Sequence, residues 1–550
     1  MGDQDPENSD SGPSKNPRPA VKRTSKACEA CRSRRRRCDG LQPCQTCVRS
    51  GEAMSCHFRI KARPGRALPS VFKAMSPPTA AVLPSGPSLD ALDPPHPSPL
   101  FFELVQERLE GWARDKGKAV DLSVDTDAPW SKFMDQPLPA LPGDPQSRAS
   151  ALETFQATYK AYFVTTLTSS RASNLLDRFE TSPESLTPDQ VATVLSCLCL
   201  GRERELALRR EDDEGGPVGM DTEEETDDIA FFRLALAALD HWGGASPTAL
   251  TALDLLHMFL VNRGGPNELR ALLGRLAWQC KELGVHRTAS CRSYPRADKV
   301  EQLFYGALYK DAWFATLYLG RPYFTHGEFE HTWTTLPSKD ELRRGLDAFP
   351  FLVDLTLIEN GLLSSLRERP ASFETAVSFE RRLSAWWDVF RTEQKREKKH
   401  VMLNFAEIRF HWLRLMLRAP LITHTEYGMT SRAVAARSAT QILRTYSSLS
   451  STFLFGPKWS DTRRITTAAH VVILCLIDGE LKEDEAKPLA EMGLELLRRQ
   501  RHGCPAAAKA LDSLKTLMDL GGIGSTNPDD EDLGEDTEDY TVFFDFSLPV

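Results

Sequence analysis

Six of the chain's twelve cysteines fall in one short stretch, spaced Cys28-x2-Cys31-x6-Cys38-x5-Cys44-x2-Cys47-x8-Cys56. Crowded thiols can form a disulfide framework, hold a metal, or do neither. Two C-x-x-C pairs make two chelating turns, because two intervening residues let both sulfurs face one ion. One zinc takes four ligands and would strand two of the thiols. Two zincs need eight ligand positions, and six cysteines fill eight if two of them bridge. The count points to a binuclear cluster. Compartment argues the same way. The N-terminal "MGDQDPENSDSGPSKNPRP" has no apolar core and does not read as a signal peptide. No stretch reaches the roughly 18 apolar residues of a spanning helix. The chain reads as soluble and intracellular with no membrane partner, and thiols there stay reduced.

The same stretch is the most basic in the chain. From Lys15 to Arg66 fifteen Lys/Arg face three acids, a net of +12 in a protein whose net charge is −8. From Asp529 to Asp545 there are nine acids and no base. Such segregation suggests a basic arm for a polyanion and an acidic tail. Between Cys31 and Cys38 lies "RSRRRR". Arginine bonds bidentately to guanine O6 and N7 in the major groove, whereas phosphate contacts position without specifying. Residues 26–57 contain no Phe, Tyr or Trp, the stacking platforms that readers of RNA favour.

All six cysteines, Arg32, "Cys38-Asp39-Gly40" and Pro43 together resemble the fungal binuclear zinc cluster family of DNA-binding transcription regulators. Pro43 adjoins Cys44, whereas many members place one residue between. The resemblance implies two zinc ions per chain, bridged by Cys28 and Cys44, with Cys31 and Cys38 completing one site and Cys47 and Cys56 the other. It implies a short helix that aims the arginines into the major groove. Arg34 and Arg35 fall at the positions that read CGG-like triplets, and Arg32, Arg36 and Arg37 are expected on phosphates.

Around this reading head the chain must supply tethers and a body. Residues 1–25 are polar and read as a disordered arm, and 26–60 as the zinc cluster domain. Residues 61–149 read as a Pro-rich linker, with ten prolines between 64 and 99 and a second patch, "QPLPALPGDP", from Gln136 to Pro145. From 150 to 520 helical periodicity dominates, predicting a large all-α regulatory domain. In "PNELRALLGRLAWQCKELGVHR" apolar residues recur at three- and four-residue steps, with Pro266 suited to the first turn and Gly284 to the C-cap. "SPTALTALDLLHMFLV" begins with Ser246 as N-cap. Further helices are expected near 151–179, 229–242, 298–320, 351–366, 372–392, 400–418, 430–449, 463–479, 485–500 and 505–519. Glu211–Asp228 reads as a solvated loop. Residues 521–550 mix acids with Phe543, Phe544 and Phe546, the composition of a disordered activation segment that recruits coactivators.

"ELGVHR" (Glu282–Arg287), Asp311 and "LGRP" (Leu319–Pro322) resemble the middle homology region that accompanies this zinc cluster. Asp311 is expected to pair with Arg287 or Arg321, since buried charges need partners. His286 reads as a residue just past a helix C-cap. Cys197, Cys199, Cys280, Cys291, Cys475 and Cys504 read as buried small hydrophobes. Signatures of nucleotide-binding loops, zinc proteases and serine hydrolases are missing from the sequence, which speaks for a protein that is not an enzyme.

The sequence thus predicts a mostly α, nuclear, zinc-dependent transcription factor acting on RNA polymerase II genes, as an activator. The alternatives are a repressor of the same family or a zinc-stabilised RNA- or protein-binding adaptor. Sustained heptads are missing after the cluster, and Ser98–Lys116 is only one helix long, so a monomer or a homodimer through the helical domain is expected rather than a coiled coil.

Overall fold

A computed structural model describes residues 29–38, 45–50, 101–124, 129–159, 167–212, 225–318, 322–325, 327–329, 348–368, 372–396, 401–418, 421–450, 456–501 and 504–524. The chain divides into two compact units, 1–84 and 85–550. Every regular element among the described residues is a helix. The described residues of the first unit form two short helices, α1 (Glu29–Ser33) and α2 (Gln45–Arg49).

The second unit begins with α3 (Phe101–Asp115), a 3-10 turn at Pro129–Phe133, α4 (Pro145–Tyr159) and α5 (Ser169–Thr181). It continues with α6 (Pro188–Asp212), α7 (Asp227–Trp242), α8 (Pro247–Arg263), α9 (Pro266–Glu282), the single turn α10 (Thr288–Cys291) and α11 (Ala297–Tyr318). The C-terminal half comprises α12 (Ala348–Glu368), α13 (Phe373–Arg396), α14 (Val401–Arg418), α15 (Gly428–Leu449), α16 (Trp459–Ile477), α17 (Glu483–Gln500) and α18 (Pro505–Leu520). Most neighbours in sequence pack as neighbours in space, as short connections require. None of these helices is long and apolar enough to cross a membrane.

The cap chemistry falls where the residue types demand it. Ser246 accepts the Ala249 N–H at 2.9 Å with Pro247 at the first helical position. The end of α9 is a Schellman motif. The Val285 N–H donates to the Cys280 carbonyl at 3.0 Å and the Gly284 N–H to that of Lys281 at 3.1 Å. Gly284 has φ +67°, which glycine adopts without a Cβ clash, and Val285 and Cys280 are buried together.

Three expectations change. The described residues of 101–149 are not linker. Val105, Leu109 and Ala113 on α3 are buried against α16 and α18, and Arg108 clasps Asp478 bidentately, at 2.7 and 3.0 Å. Trp130 is buried, and its Nε1 donates to the Arg263 carbonyl at 2.6 Å. The helix expected over 151–179 is two, α4 and α5, with 160–166 outside the described residues. Glu211–Asp228 is not solvated at its far end. Asp228 is fully buried, 3.3 Å from the Arg263 guanidinium, and Glu225 pairs with buried Arg233 at 2.7 Å. The arm 1–25 and residues 525–550 of the acidic tail lie outside the described residues.

Helix α6 carries no clear stripe, because Ala192–Leu200 is buried nearly all round among α4, α7 and α8. At its crossing with α4 the backbones touch: a Cβ on Gly201 would overlap the Ala151 carbonyl oxygen. Gly201→Ala must therefore push two helices apart. Overpacking of this kind costs about 1–3 kcal/mol, and a lower midpoint of thermal unfolding is the expected result.

Candidate metal centre and nucleic-acid interface

The first unit is small, and what its described residues bury is sulfur. Cys31 on α1 and Cys47 on α2 are 2% and 1% exposed, and their Sγ atoms lie 3.8 Å apart. A disulfide would bring them to about 2.05 Å. The two thiols are therefore close but not bonded to each other. By the resemblance they belong to different zinc sites of one cluster, so it is the donor type, buried soft thiols on adjoining helices, that fits zinc. Cys38 is half-buried at the end of the described segment, and Cys28, Cys44 and Cys56 lie outside the described residues. The six cysteines are the residues that would hold the metal, which when bound would crosslink α1 to α2.

The arginine run does not extend the helix as expected. Only Arg32 lies in α1, which stops at Ser33. The stop is a second Schellman motif. The Arg36 N–H donates to the Cys31 carbonyl at 2.8 Å and the Arg35 N–H to that of Arg32 at 3.2 Å. Arg35 takes the position that glycine usually fills, with φ +50°. Arg36 and Arg37 follow as irregular chain, and the Thr46 hydroxyl at α2 donates to the Arg37 carbonyl at 2.7 Å. All five arginines, Arg32, Arg34, Arg35, Arg36 and Arg37, are exposed. The unit thus presents a dense cationic surface directly on top of its buried thiols. Periodicity could not reveal the turn at Arg35, since no glycine or asparagine announces it.

The motif residues of the helical body serve structure. Asp311 is buried and accepts the backbone N–H groups of Tyr323 and Phe324 at 2.9 and 2.8 Å. Arg287 is exposed and Arg321 lies outside the described residues; among the described residues the carboxylate's hydrogen-bond donors are backbone groups. A carboxylate can accept such bonds as readily as a salt bridge, and sequence spacing does not distinguish the two. Burial nevertheless pushes the Asp311 carboxyl up to about 7. His286 Nδ1 meets the Cys280 carbonyl at 3.4 Å just past the α9 cap. Cys197, Cys199, Cys280, Cys291, Cys475 and Cys504 are all buried. Burial pushes the Cys291 thiol up to about 11 and that of Cys475 to about 12, the opposite of a reactive cysteine.

Residues 26–65 match the fungal Zn(2)-Cys(6) binuclear cluster domain. The first unit contains a zinc-cluster domain, at residues 26–65. The chain therefore carries a zinc-binding, DNA-binding module of the transcription-factor kind, and its body is helical. No curated protein is matched by the chain.

Two outcomes follow. Chelating zinc from the full-length protein should abolish DNA binding in a gel-shift assay and leave the helical far-UV circular dichroism nearly unchanged. Such a small domain depends on its metal, and the long helices lie in the other unit. Asp311 gives a pH dependence of the opposite sign to that of a salt-bridged acid. Its folded pKa, about 7, lies above the ordinary 3.8, so the folded chain keeps a proton that the unfolded chain releases. Its stabilisation is complete below about pH 4 and is lost as pH rises to about 7. In urea unfolding the wild type should lose stability over that window relative to Asp311→Asn.

Proposed function

We propose that the protein is a nuclear activator of RNA polymerase II genes. Its six cysteines, Cys28, Cys31, Cys38, Cys44, Cys47 and Cys56, hold two zinc ions. Arg34 and Arg35 read CGG-like triplets in the major groove, while Arg32, Arg36 and Arg37 grip phosphates. The helical body acts as a regulatory region of the middle homology kind, and the acidic, aromatic segment 521–550 recruits coactivators. Recognition by one chain, or by two joined through their helical bodies, is favoured over a coiled coil. The only helix described between the cluster and residue 129, α3, has its apolar stripe covered by α16 and α18.

The observation that carries the base-reading role is the backbone of Arg35. A left-handed conformation costs a residue with a Cβ about 1–2 kcal/mol, and glycine escapes that cost. An arginine kept there, exposed and beside the buried thiols, argues that its side chain is needed.

Substitution by glycine separates the two roles. Arg35→Gly should retain zinc, as measured by elemental analysis, and fold at least as well as the wild type. Its affinity for a CGG-containing duplex should fall by about 1–3 kcal/mol. In vitro site selection with the zinc-loaded full chain should enrich CGG triplets. Selection with no sequence preference, or unchanged binding by Arg35→Gly, would remove the base-reading role.

A further inference from the structure

Two arginines of the helical body are buried almost completely. Arg409 on α14 is 1% exposed and Arg464 on α16 is 2% exposed. They share a set of aromatic neighbours. Tyr309 and Trp313 lie one turn apart on α11, and Arg409 and Trp412 lie one turn apart on α14. The Arg409 guanidinium lies over the Tyr309 ring at 4.3 Å. That of Arg464 lies over Trp313 and Trp412 at 5.6 and 5.7 Å. Burial pushes the Arg409 guanidinium down to about 10, and the charge on Arg464 pushes the same way.

Neither arginine has its full set of hydrogen bonds. Arg409 Nη2 donates to Glu359 and, at 3.3 Å, to the Thr356 hydroxyl. Its Nε and Nη1 have no acceptor among the described residues, and neither have Nε and Nη2 of Arg464. Stacking does not supply what is missing. A guanidinium meets a ring with its face, while its N–H groups point outward in its own plane. The charges are also unequal. Glu359 balances Arg409, but no carboxylate among the described residues forms an ion pair with Arg464. Asp461, three residues earlier on α16, accepts the Tyr446 hydroxyl at 2.9 Å instead. Burial pushes the Asp461 carboxyl up, toward its neutral form. A buried cation with neither counterion nor acceptors is strongly disfavoured. Water would accept the N–H groups but carries no charge.

We propose that Arg464 and Arg409 form a buried binding site for a small monocarboxylic acid, whose carboxylate bonds to both guanidiniums and whose apolar part lies among Tyr309, Trp313 and Trp412. A carboxylate is planar and matches the donor fork of a guanidinium. One unbalanced positive charge calls for one negative charge, which a monoanion supplies and a phosphate dianion exceeds. The aromatic surroundings favour an acid with an apolar remainder over a strongly hydrated ion. This site is independent of the DNA-reading role of the first unit.

The test follows thermal unfolding of the full-length protein in millimolar sodium acetate, butyrate, pyruvate or benzoate, against sodium chloride and sodium phosphate of matched ionic strength. A ligand of the folded state raises the midpoint with concentration, and calorimetry gives the affinity. At least one carboxylate should stabilise saturably. Arg464→Met, which keeps the length of the side chain without its charge, should lose that response. Arg114→Met, at an exposed arginine on α3, should keep it. Far-UV circular dichroism reports whether Arg464→Met folds. Arg464→Lys keeps the charge without the fork and should bind at least about tenfold more weakly. The proposal is overturned if no carboxylate gives a saturable response, or if phosphate does so and the carboxylates do not. It is equally overturned if the response persists in Arg464→Met or if Arg464→Lys binds with unchanged affinity.

Discussion

A helix buried on every side has no water to satisfy its polar groups, and α16 imposes that constraint on the second unit. Trp459 to Cys475 is buried without interruption, enclosed by α3, α8, α11, α15, α17 and α18. Its polar side chains must be met by those helices. The Tyr446 hydroxyl donates to Asp461 at 2.9 Å, and Thr462 donates to Gln500 at 2.5 Å. The Arg464 guanidinium lies over the rings of Trp313 and Trp412, at 5.6 and 5.7 Å, where the π face offers the attraction that water would have given. The pattern spreads outward. Arg409 pairs with Glu359, which also accepts the Thr316 hydroxyl at 3.0 Å. Lys310 pairs with Asp254. Burial pushes the Asp254 carboxyl up and the Lys310 ammonium down, and each partner restrains the other. Removing either member of such a pair leaves a charge with no solvent and no counterion.

The first unit faces the reverse difficulty. Its described helices, of five residues each, cannot bury enough apolar surface to hold themselves together. Its described core is Cys31 against Cys47. Strong bonds from a few thiolates replace many weak contacts, which frees almost every other side chain for the surface. That is why an unbroken arginine run can sit so close to the core. In the helical body the same density of charge would have to be paired or excluded.

What the sequence made legible follows from how local each signal is. Ser246, Pro247, Pro266 and Gly284 act within a turn of themselves, and each cap lies where its residue type requires. The cysteine spacing is equally local and led to the matched domain. Helix α6 was illegible because burial among three neighbours erases the amphipathic stripe that marks a half-exposed helix. Helix α3 was legible as one helix length, Ser98–Lys116, within a stretch read as linker, but its partners are Asp478 and the faces of α16 and α18, more than 300 positions away in sequence. The described partners of Asp311 are backbone groups, which leave no trace in residue identity. The left-handed Arg35 was hidden for the same reason, since the hydrogen bonds that hold it come from carbonyls.

The Schellman turn at Arg35 has a consequence for timing. A residue held between two backbone hydrogen bonds has given up its torsional freedom before any duplex arrives. On the proposed reading, only the outer bonds of the guanidinium arm would remain to be ordered in the groove. The search along DNA would then be conducted by a head whose aim is already set, and an incorrect sequence would be rejected by mismatch of contacts rather than by slow rearrangement of the protein.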